Sequence, residues 1–347
     1  MVKSGLRTAA RSGVAAVLLA TVVGCSEGGG EAEEEEEGAG KVFEGETIDF
    51  VVPFDPGGGY DVYTRTIAPY LGECLGAEMV VRNEPGAGSL LATNATAKAE
   101  PDGTRIQIMN MAGVVSSQLA GAEGVQYDLK EFSWIGRISA PAEVVLTGTD
   151  SDLKTFDDLV ASSDPIKLVA TGPGASDYIG AAVLAEAYDL ESEIATGFAG
   201  SGEATNAVIA GDADIHVMPF DSELATMESN QTRPLMLFAE ELPEYMPETE
   251  LIGDVQPPGD EGQELVDSFM ALSQAGRSVT APPGLPEDRL TALREGFTCA
   301  MEDPKLLADL EKQQRPVNFL EGGEYAELVD EALNPSEGFQ KLLEASF

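Results

Sequence analysis

From Thr47 to Phe54 the chain reads Thr-Ile-Asp-Phe-Val-Val-Pro-Phe, an alternation of polar and apolar positions running into an apolar stretch, which predicts a strand. Asp55-Pro-Gly-Gly-Gly59 breaks it, and helical spacing follows from near Tyr60 or Asp61 to about residue 75. The unit then repeats. Strand Glu78–Arg82 runs into Asn83-Glu-Pro-Gly-Ala-Gly-Ser89, and a helix is expected over Leu90–Ala99 with Ser89 as its cap. A third strand, Arg105–Asn110, ends at Met111-Ala112-Gly113.

Between residues 128 and 147 two strand-like runs, Ser133–Ile138 and Glu143–Thr147, flank Pro141, and a crossover between domains fits there. The strand-loop-helix logic resumes with strand Lys167–Ala170, loop Thr171-Gly-Pro-Gly-Ala-Ser-Asp177 and helix Tyr178–Tyr188. Thr196-Gly-Phe-Ala-Gly-Ser-Gly-Glu203 opens a helix over Ala204–Ala210, followed by strand Asp214–Met218 and Pro219-Phe220-Asp221. A strand at Pro234–Phe238 precedes a stretch rich in Pro, Gly and acids through Gly262, and Phe269–Ser273 is expected to cross back. From Pro286 the pattern is helical. Strands alternating with helices predict an α/β protein with mostly parallel sheets, whose ligands bind at the carboxyl ends of strands.

Composition sets the length scale and removes partners. The 347 residues suffice for about two domains, and 43% hydrophobic residues with a mean hydropathy of −0.06 describe a soluble globular body. Acids number 61 against 20 basic residues, a net charge of −41. Such a surface repels phosphate backbones and anionic headgroups, which excludes nucleic acid as a partner, and it suits high ionic strength, where self-repulsion is screened.

The N-terminus has its own character. Lys3, Arg7 and Arg11 precede an apolar core, Gly13–Val23, of 11 residues: long enough for a signal peptide, too short for a spanning helix. It ends in Val22-Val23-Gly24-Cys25, which resembles the lipobox of bacterial lipoproteins, and that resemblance implies lipidation of Cys25. Residues 1–24 then form the signal peptide. Residues 25–42, with five consecutive glutamates at Glu33–Glu37, read as an acidic disordered tether. The expected location is extracytoplasmic, on the outer face of the cell membrane.

Two cysteines remain, Cys74 and Cys299, both in helical-looking segments; in an oxidising compartment they are either paired or singly buried. Pairing requires the C-terminal region to fold back on the N-terminal one. The single histidine, His216, lies in a strand-like alternation and reads as structural. One histidine and no cysteine cluster argue against zinc sites and histidine-based triads, and no metal or cofactor is expected.

Five glycine-containing strand-to-helix loops are spread over the two halves of the body. Helix N-termini present free N–H groups and the positive end of the helix dipole, each contributing roughly 0.3–2 kcal/mol towards an anion. The loops contain almost no Lys or Arg, so backbone donors would carry the binding. Enzyme motifs are missing: Gly172-Pro-Gly174-Ala-Ser-Asp177 lacks the third glycine of a dinucleotide fingerprint, and no GxxxxGK[ST] loop occurs. Binding is favoured over catalysis.

Several segments carry a more specific resemblance. Val51-Val-Pro-Phe-Asp-Pro-Gly-Gly-Gly-Tyr-Asp61 with Thr64-Arg65, Asn83-Glu-Pro-Gly-Ala-Gly88, Pro101-Asp-Gly103, Ala170–Ser176, Gly200-Ser-Gly-Glu-Ala204, Ala210–Asp214 and Ala281–Pro286 resemble the solute-binding receptors of tripartite tricarboxylate transporters, also called Bug receptors. The resemblance spans roughly residues 43–347. It implies a two-lobed, type II periplasmic-binding-protein fold with a ligand cleft between lobes. Lobe 1 would comprise residues 43–140 and 276–347, and lobe 2 residues 141–275, with crossovers near Ile138 and Ser273. Both remaining cysteines then fall in lobe 1, which supports their pairing.

The same resemblance implies a site in which turns from each lobe grip a carboxylate through main-chain donors. By position, Phe54, Pro56, Gly57, Gly58, Tyr60 and Asp61 form the first turn; Gly88, Ser89, Asn110 and Ala112 line lobe 1; Thr171, Gly172, Gly174 and Ser176 line lobe 2; Ala199, Gly200 and Ser201 form the second turn. Asp221 would accept a hydrogen bond from a solute hydroxyl or amine. The chain departs from the family at Phe198-Ala-Gly200, where Tyr-Lys-Gly is frequent, and at Ser89, where glycine is frequent. The expected partners are a small organic carboxylate (a di- or tricarboxylate, an amino acid or an aromatic acid) and the subunits of a membrane permease, with the receptor a monomer. A solute sensor for a membrane kinase and a secreted acid/base hydrolase or lyase are the alternatives.

Overall fold

A computed structural model describes residues 42–173, 175–243 and 245–347; the signal-peptide, lipidation and tether expectations lie outside the described residues. The first half runs β1 (Thr47–Val52), α1 (Gly59–Leu75), β2 (Glu78–Asn83), α2 (Leu90–Ala97), β3 (Arg105–Asn110), α3 (Met111–Leu119) and β4 (Ser133–Ser139). The middle contains β5 (Glu143–Gly148), α4 (Phe156–Val160), β6 (Ile166–Val169), α5 (Ser176–Ala187), β7 (Ser192–Ala195), α6 (Ser201–Ala210), β8 (Ile215–Pro219), α7 (Leu224–Glu228), β9 (Thr232–Leu237), β10 (Glu250–Leu251) and α8 (Asp260–Ser273). The chain returns through β11 (Arg277–Ala281), α9 (Glu287–Met301), α10 (Pro304–Lys312), β12 (Leu320–Glu321), α11 (Gly322–Ala332) and α12 (Glu337–Ser346).

Among the described residues these strands form two six-stranded sheets, ordered β12-β4-β11-β3-β1-β2 and β10-β9-β5-β8-β6-β7. The fold is the α/β class that the sequence pattern predicts, in the two-lobed form that the family resemblance implies. In the first sheet β1 is parallel to β2 and β3, with Val52 opposite Asn83, while β11 runs antiparallel between β3 and β4. In the second, β6 is parallel to β7 and β8, and β5 lies antiparallel between β8 and β9. The chain changes sheet between β4 and β5 and again between α8 and β11. Parallel order in both halves puts the carboxyl ends of β1, β6 and β8, and the helices that follow them, at the cleft.

Helix α1 shows how the pattern builds the core: Tyr63, Ile67, Leu71 and Leu75 recur at four-residue spacing, all buried, and pack with Phe50, Ile106 and Phe297. Gly76, at φ 64°, ends it in a left-handed cap. A second core is continuous from the helices of lobe 2 to Met111–Val115, Trp134, Tyr325 and Phe339. The last helix, α12, packs against α3, α5 and α8, so the return segment also leans on lobe 2.

Several local expectations are corrected. Ser89 precedes α2 but has φ 93°, and its side chain makes no capping hydrogen bond; a side-chain cap goes with extended backbone at that position, which this is not. Phe269–Ser273 is the end of a helix that begins inside the acid-rich stretch at Asp260, because Asp260 and Glu261 favour a helix N-terminus. The strand that crosses back is β11. Cys74 of α1 and Cys299 of α9 are joined by a disulfide, with Cα atoms 6.1 Å apart.

Candidate functional site

Three helices begin at one cleft. Gly58 precedes α1, Ala175 precedes α5 and Gly200 precedes α6, and none of the three makes a side-chain cap, so first-turn N–H groups are left to other acceptors. All three starts line one cavity of about 460 Å³, a size suited to a small organic molecule. Phe54–Tyr60 form its lobe 1 wall, and Thr171, Ala175–Asp177, Gly200–Glu203, Met218, Pro219, Ser222, Glu223, Ala225 and Thr226 its lobe 2 wall.

The loops are shaped by carboxylates behind them. Asp61 Oδ2 accepts from the Gly57 amide at 2.9 Å and from Arg65 Nε at 2.9 Å, while Asp61 Oδ1 accepts from Asn83 Nδ2 at 2.9 Å. Asn83 Nδ2 also donates to the Phe54 carbonyl at 2.9 Å, closing the turn around Gly57, whose φ of 96° requires glycine. Burial works to raise the Asp61 carboxyl, but the hydrogen bonds from Arg65, Asn83 and Gly57 outweigh it and hold the group below its ordinary value.

In lobe 2, Asp177 plays the corresponding part. Its Oδ2 accepts from the Thr171 amide at 2.7 Å, and its Oδ1 from Thr171 Oγ1 at 3.1 Å and the Tyr178 amide at 2.8 Å. His216, fully buried on β8, stands behind it, with Nε2 3.4 Å from Asp177 Oδ2 and Nδ1 3.0 Å from Thr205 Oγ1. Glu203 Oε2 accepts from the Ala199 amide at 2.9 Å and folds back the second turn.

The two lobes touch at the cleft. A methyl group on Gly58 would lie 3.3 Å from Ser201 Oγ, and one on Gly172 would lie 3.1 Å from the Gly88 amide nitrogen. Of the residues expected at the site, Phe54, Pro56, Gly57, Gly58, Tyr60, Thr171, Ser176, Gly200 and Ser201 line the cavity. Gly88 and Gly172 face each other beside it, Ser89 is buried behind Gly88, and Ala199 is exposed next to the second turn. Asn110 and Ala112 line a small recess under the floor, together with Tyr60, Glu143, Ser176 and Arg277. Gly174 lies outside the described residues.

Two expectations change role. Asp61 is not on the lining; it ties the first turn from behind. Asp221 is fully buried, with Oδ2 2.9 Å from Arg277 Nη1 and Oδ1 2.9 Å from Arg277 Nη2, so its acceptors are engaged by a guanidinium and do not face a solute. Arg277 also donates to Ser222 Oγ at 3.0 Å and lies 4.9 and 5.1 Å from the centres of the Tyr60 and Tyr63 rings. Burial alone would lower the Arg277 guanidinium, but Asp221 outweighs it and the group is held above its ordinary value. Arg315 donates to the Asp221 carbonyl, so β11 and the segment after α10 both grip the start of α7.

Sequence reasoning missed Asp177, Ser222, Glu223 and Thr226. The available signal was position: Glu223 and Thr226 follow the carboxyl end of β8, where ligands of parallel sheets bind. Among the described residues no group of three or more His, Cys, Asp or Glu is placed to hold a metal ion, and no helix is long and apolar enough to cross a membrane.

Two α/β lobes with helix N-termini facing a cleft between them have the architecture of the periplasmic binding proteins. Residues 63–342 match the sequence model described as the tripartite tricarboxylate transporter family receptor, and the chain belongs to that family. It is 26% identical over 305 residues to the "UPF0065 protein in tcbD-tcbE intergenic region" of Pseudomonas sp. (strain P51), covering 87% of this chain and 86% of that one. Over 213 residues it is 28% identical to Protein BugT of Bordetella pertussis, covering 58% of this chain and 63% of that one. Among solved structures it resembles MatC of Rhodopseudomonas palustris with bound malate, at TM-score 0.72 and 20% identity over 86% of this chain and 99% of that one. The periplasmic binding protein BugD superposes equally well, at TM-score 0.72 and 20% identity over 87% of this chain and 97% of that one.

Proposed function

We propose that the chain is an extracytoplasmic, lipid-anchored receptor that captures a carboxylate-bearing organic solute in the cleft and delivers it to a membrane permease without chemically altering it. The observation that carries this reading is the meeting of three helix starts, none capped by a side chain, from both lobes on one cavity. A carboxylate there would receive main-chain N–H groups from α1, α5 and α6 and the positive ends of their dipoles. Contact across the cleft at Gly58–Ser201 and Gly88–Gly172 suits closure around a solute, with ligand energy shifting an open–closed equilibrium. Residues 43–140 and 276–347 would move as one lobe and 141–275 as the other. Delivery and anchoring rest on family membership and on the sequence around Cys25.

Thermal unfolding of the exported protein against a panel of di- and tricarboxylates, amino acids and aromatic acids tests the capture. Ligand at 100 times its Kd adds about 2.7 kcal/mol of stability. A shift with one carboxylate class and no product formed is the expected result; turnover, or no shift across the panel, would sink the reading. For anchoring, Cys25→Ser is expected to move the protein from the membrane fraction to the soluble one, and retention in the membrane argues against lipidation.

A further inference from the structure

We propose that the solute is a zwitterion, carrying a protonated amine as well as the carboxylate, and that Glu223 receives the amine. The proposal deepens the receptor reading and rests on it. The cavity lining holds four acidic side chains, Asp55, Asp177, Glu203 and Glu223, and no lysine or arginine. Three helix ends provide for one carboxylate. A second carboxylate on the same small solute would meet like charge on the lobe 2 wall, and juxtaposed like charges are strongly disfavoured. The Arg277 guanidinium is not on that lining, and its two terminal nitrogens are held by the two oxygens of Asp221.

The four acids divide by what already occupies them. Both oxygens of Asp177 are engaged by Thr171 and Tyr178, Glu203 closes its own turn on Ala199, and Asp55 is exposed at the rim. Glu223 differs. It is only 3% exposed, it lines the cavity, and Thr226 Oγ1 donates to its Oε2 at 2.7 Å. Thr205 also hydrogen-bonds this carboxylate. An ionised carboxylate has about four acceptor positions, so two hydroxyls still leave room for an ammonium.

A second observation comes from the recess under the floor. Glu143 is 3% exposed, and its Oε2 has no hydrogen-bond partner; Arg277 Nε, on the same recess, has none either, and the two do not bond each other. Glu143 lines that recess with Tyr60, Ser176 and Pro219, which also line the cavity. An unmatched buried acceptor beside the cleft is costly until a donor reaches it. The burial that raises the carboxyls of Glu143 and Glu223 is the desolvation that a bound cation offsets.

Titration calorimetry of the exported protein with 4-aminobutanoate, succinate and butanoate, followed by α-amino acids and their diacid counterparts, tests this at fixed pH and ionic strength. Amine-bearing probes are expected to bind at least tenfold more tightly than their amine-free and diacid partners, the range of one charge-assisted hydrogen bond. Glu223→Gln should remove that advantage. Glu223→Asp, which keeps the charge but withdraws it by one methylene, should narrow the gap between amine-bearing and amine-free probes and serves if the glutamine variant does not fold. Diacids binding more tightly than every amine-bearing probe would overturn the zwitterion and leave the receptor reading standing. Amine selectivity that survives both substitutions would overturn the role of Glu223, and no binding by any probe overturns the two readings together.

Discussion

At the scale of single residues, buried carboxylates divide by what reaches them. Asp61 and Asp177 accept main-chain amides and brace the loops, whereas Glu143 is buried at the start of β5 with an unmatched oxygen. Burial raises its carboxyl well above the ordinary 4.5; Arg277 opposes that rise, and Asp177 and Asp221 add to it. A carboxyl whose folded-state value is raised holds its proton more tightly in the native state. Its contribution to stability is therefore full below about pH 4.5 and is lost as pH climbs towards the raised value. Glu143→Gln removes this dependence. Its unfolding free energy is expected to fall less steeply from pH 5 upward than that of the natural protein, by about 1.4 kcal/mol for each pH unit in which Glu143 holds a proton that the unfolded chain has released. Denaturant titrations at a series of pH values check this, and parallel curves for the two proteins would refute it.

At the scale of elements, periodicity in the sequence located most strands, and the helices α1, α2 and α5, to within a residue or two. β1, β3, β6, β8 and α1 are legible because each is an amphipathic or mostly buried run with a glycine or proline close to one end. Failures came where local rules conflict. Ser89 has the chemistry of a cap but a left-handed backbone, set by the turn through Gly86–Gly88. β7 is four residues with alternate positions exposed, too short and polar to read, and it is ordered by pairing with β6. The acid-rich run before α8 reads as loop until its last acids are seen to serve as a helix start. The glycine loops were legible as a class, since a helix start without a capping side chain shows in the letters.

At the scale of the whole molecule, the proposed capture depends on how closely the lobes approach. Gly59 begins α1 in lobe 1, and a methyl group there would lie 2.1 Å from Ser222 Oγ and 3.2 Å from Ser222 Cβ of lobe 2. Gly59→Ala should wedge the lobes apart, lower solute affinity by roughly tenfold as the closed fraction falls, and enlarge the radius of gyration of the liganded protein. Small-angle scattering with calorimetry decides it: unchanged affinity and radius would mean that Ser222 simply rotates away. The buried Asp221–Arg277 pair beside this contact shows why Asp221 was misread. In the sequence it is one more acid after a strand, and its partner lies 56 residues further on.

The sequence by itself determined the α/β class, the two repeating halves, the acidic exterior and the glycine-bearing helix starts, because these follow from local periodicity, composition and backbone chemistry. Tertiary structure alone decided which acids face the cleft and which are engaged behind it. Asp61, Asp177, Asp221 and Glu223 are chemically alike as letters. They differ in the amides, hydroxyls and guanidinium that distant segments bring to them, and those encounters are set by packing across the whole chain.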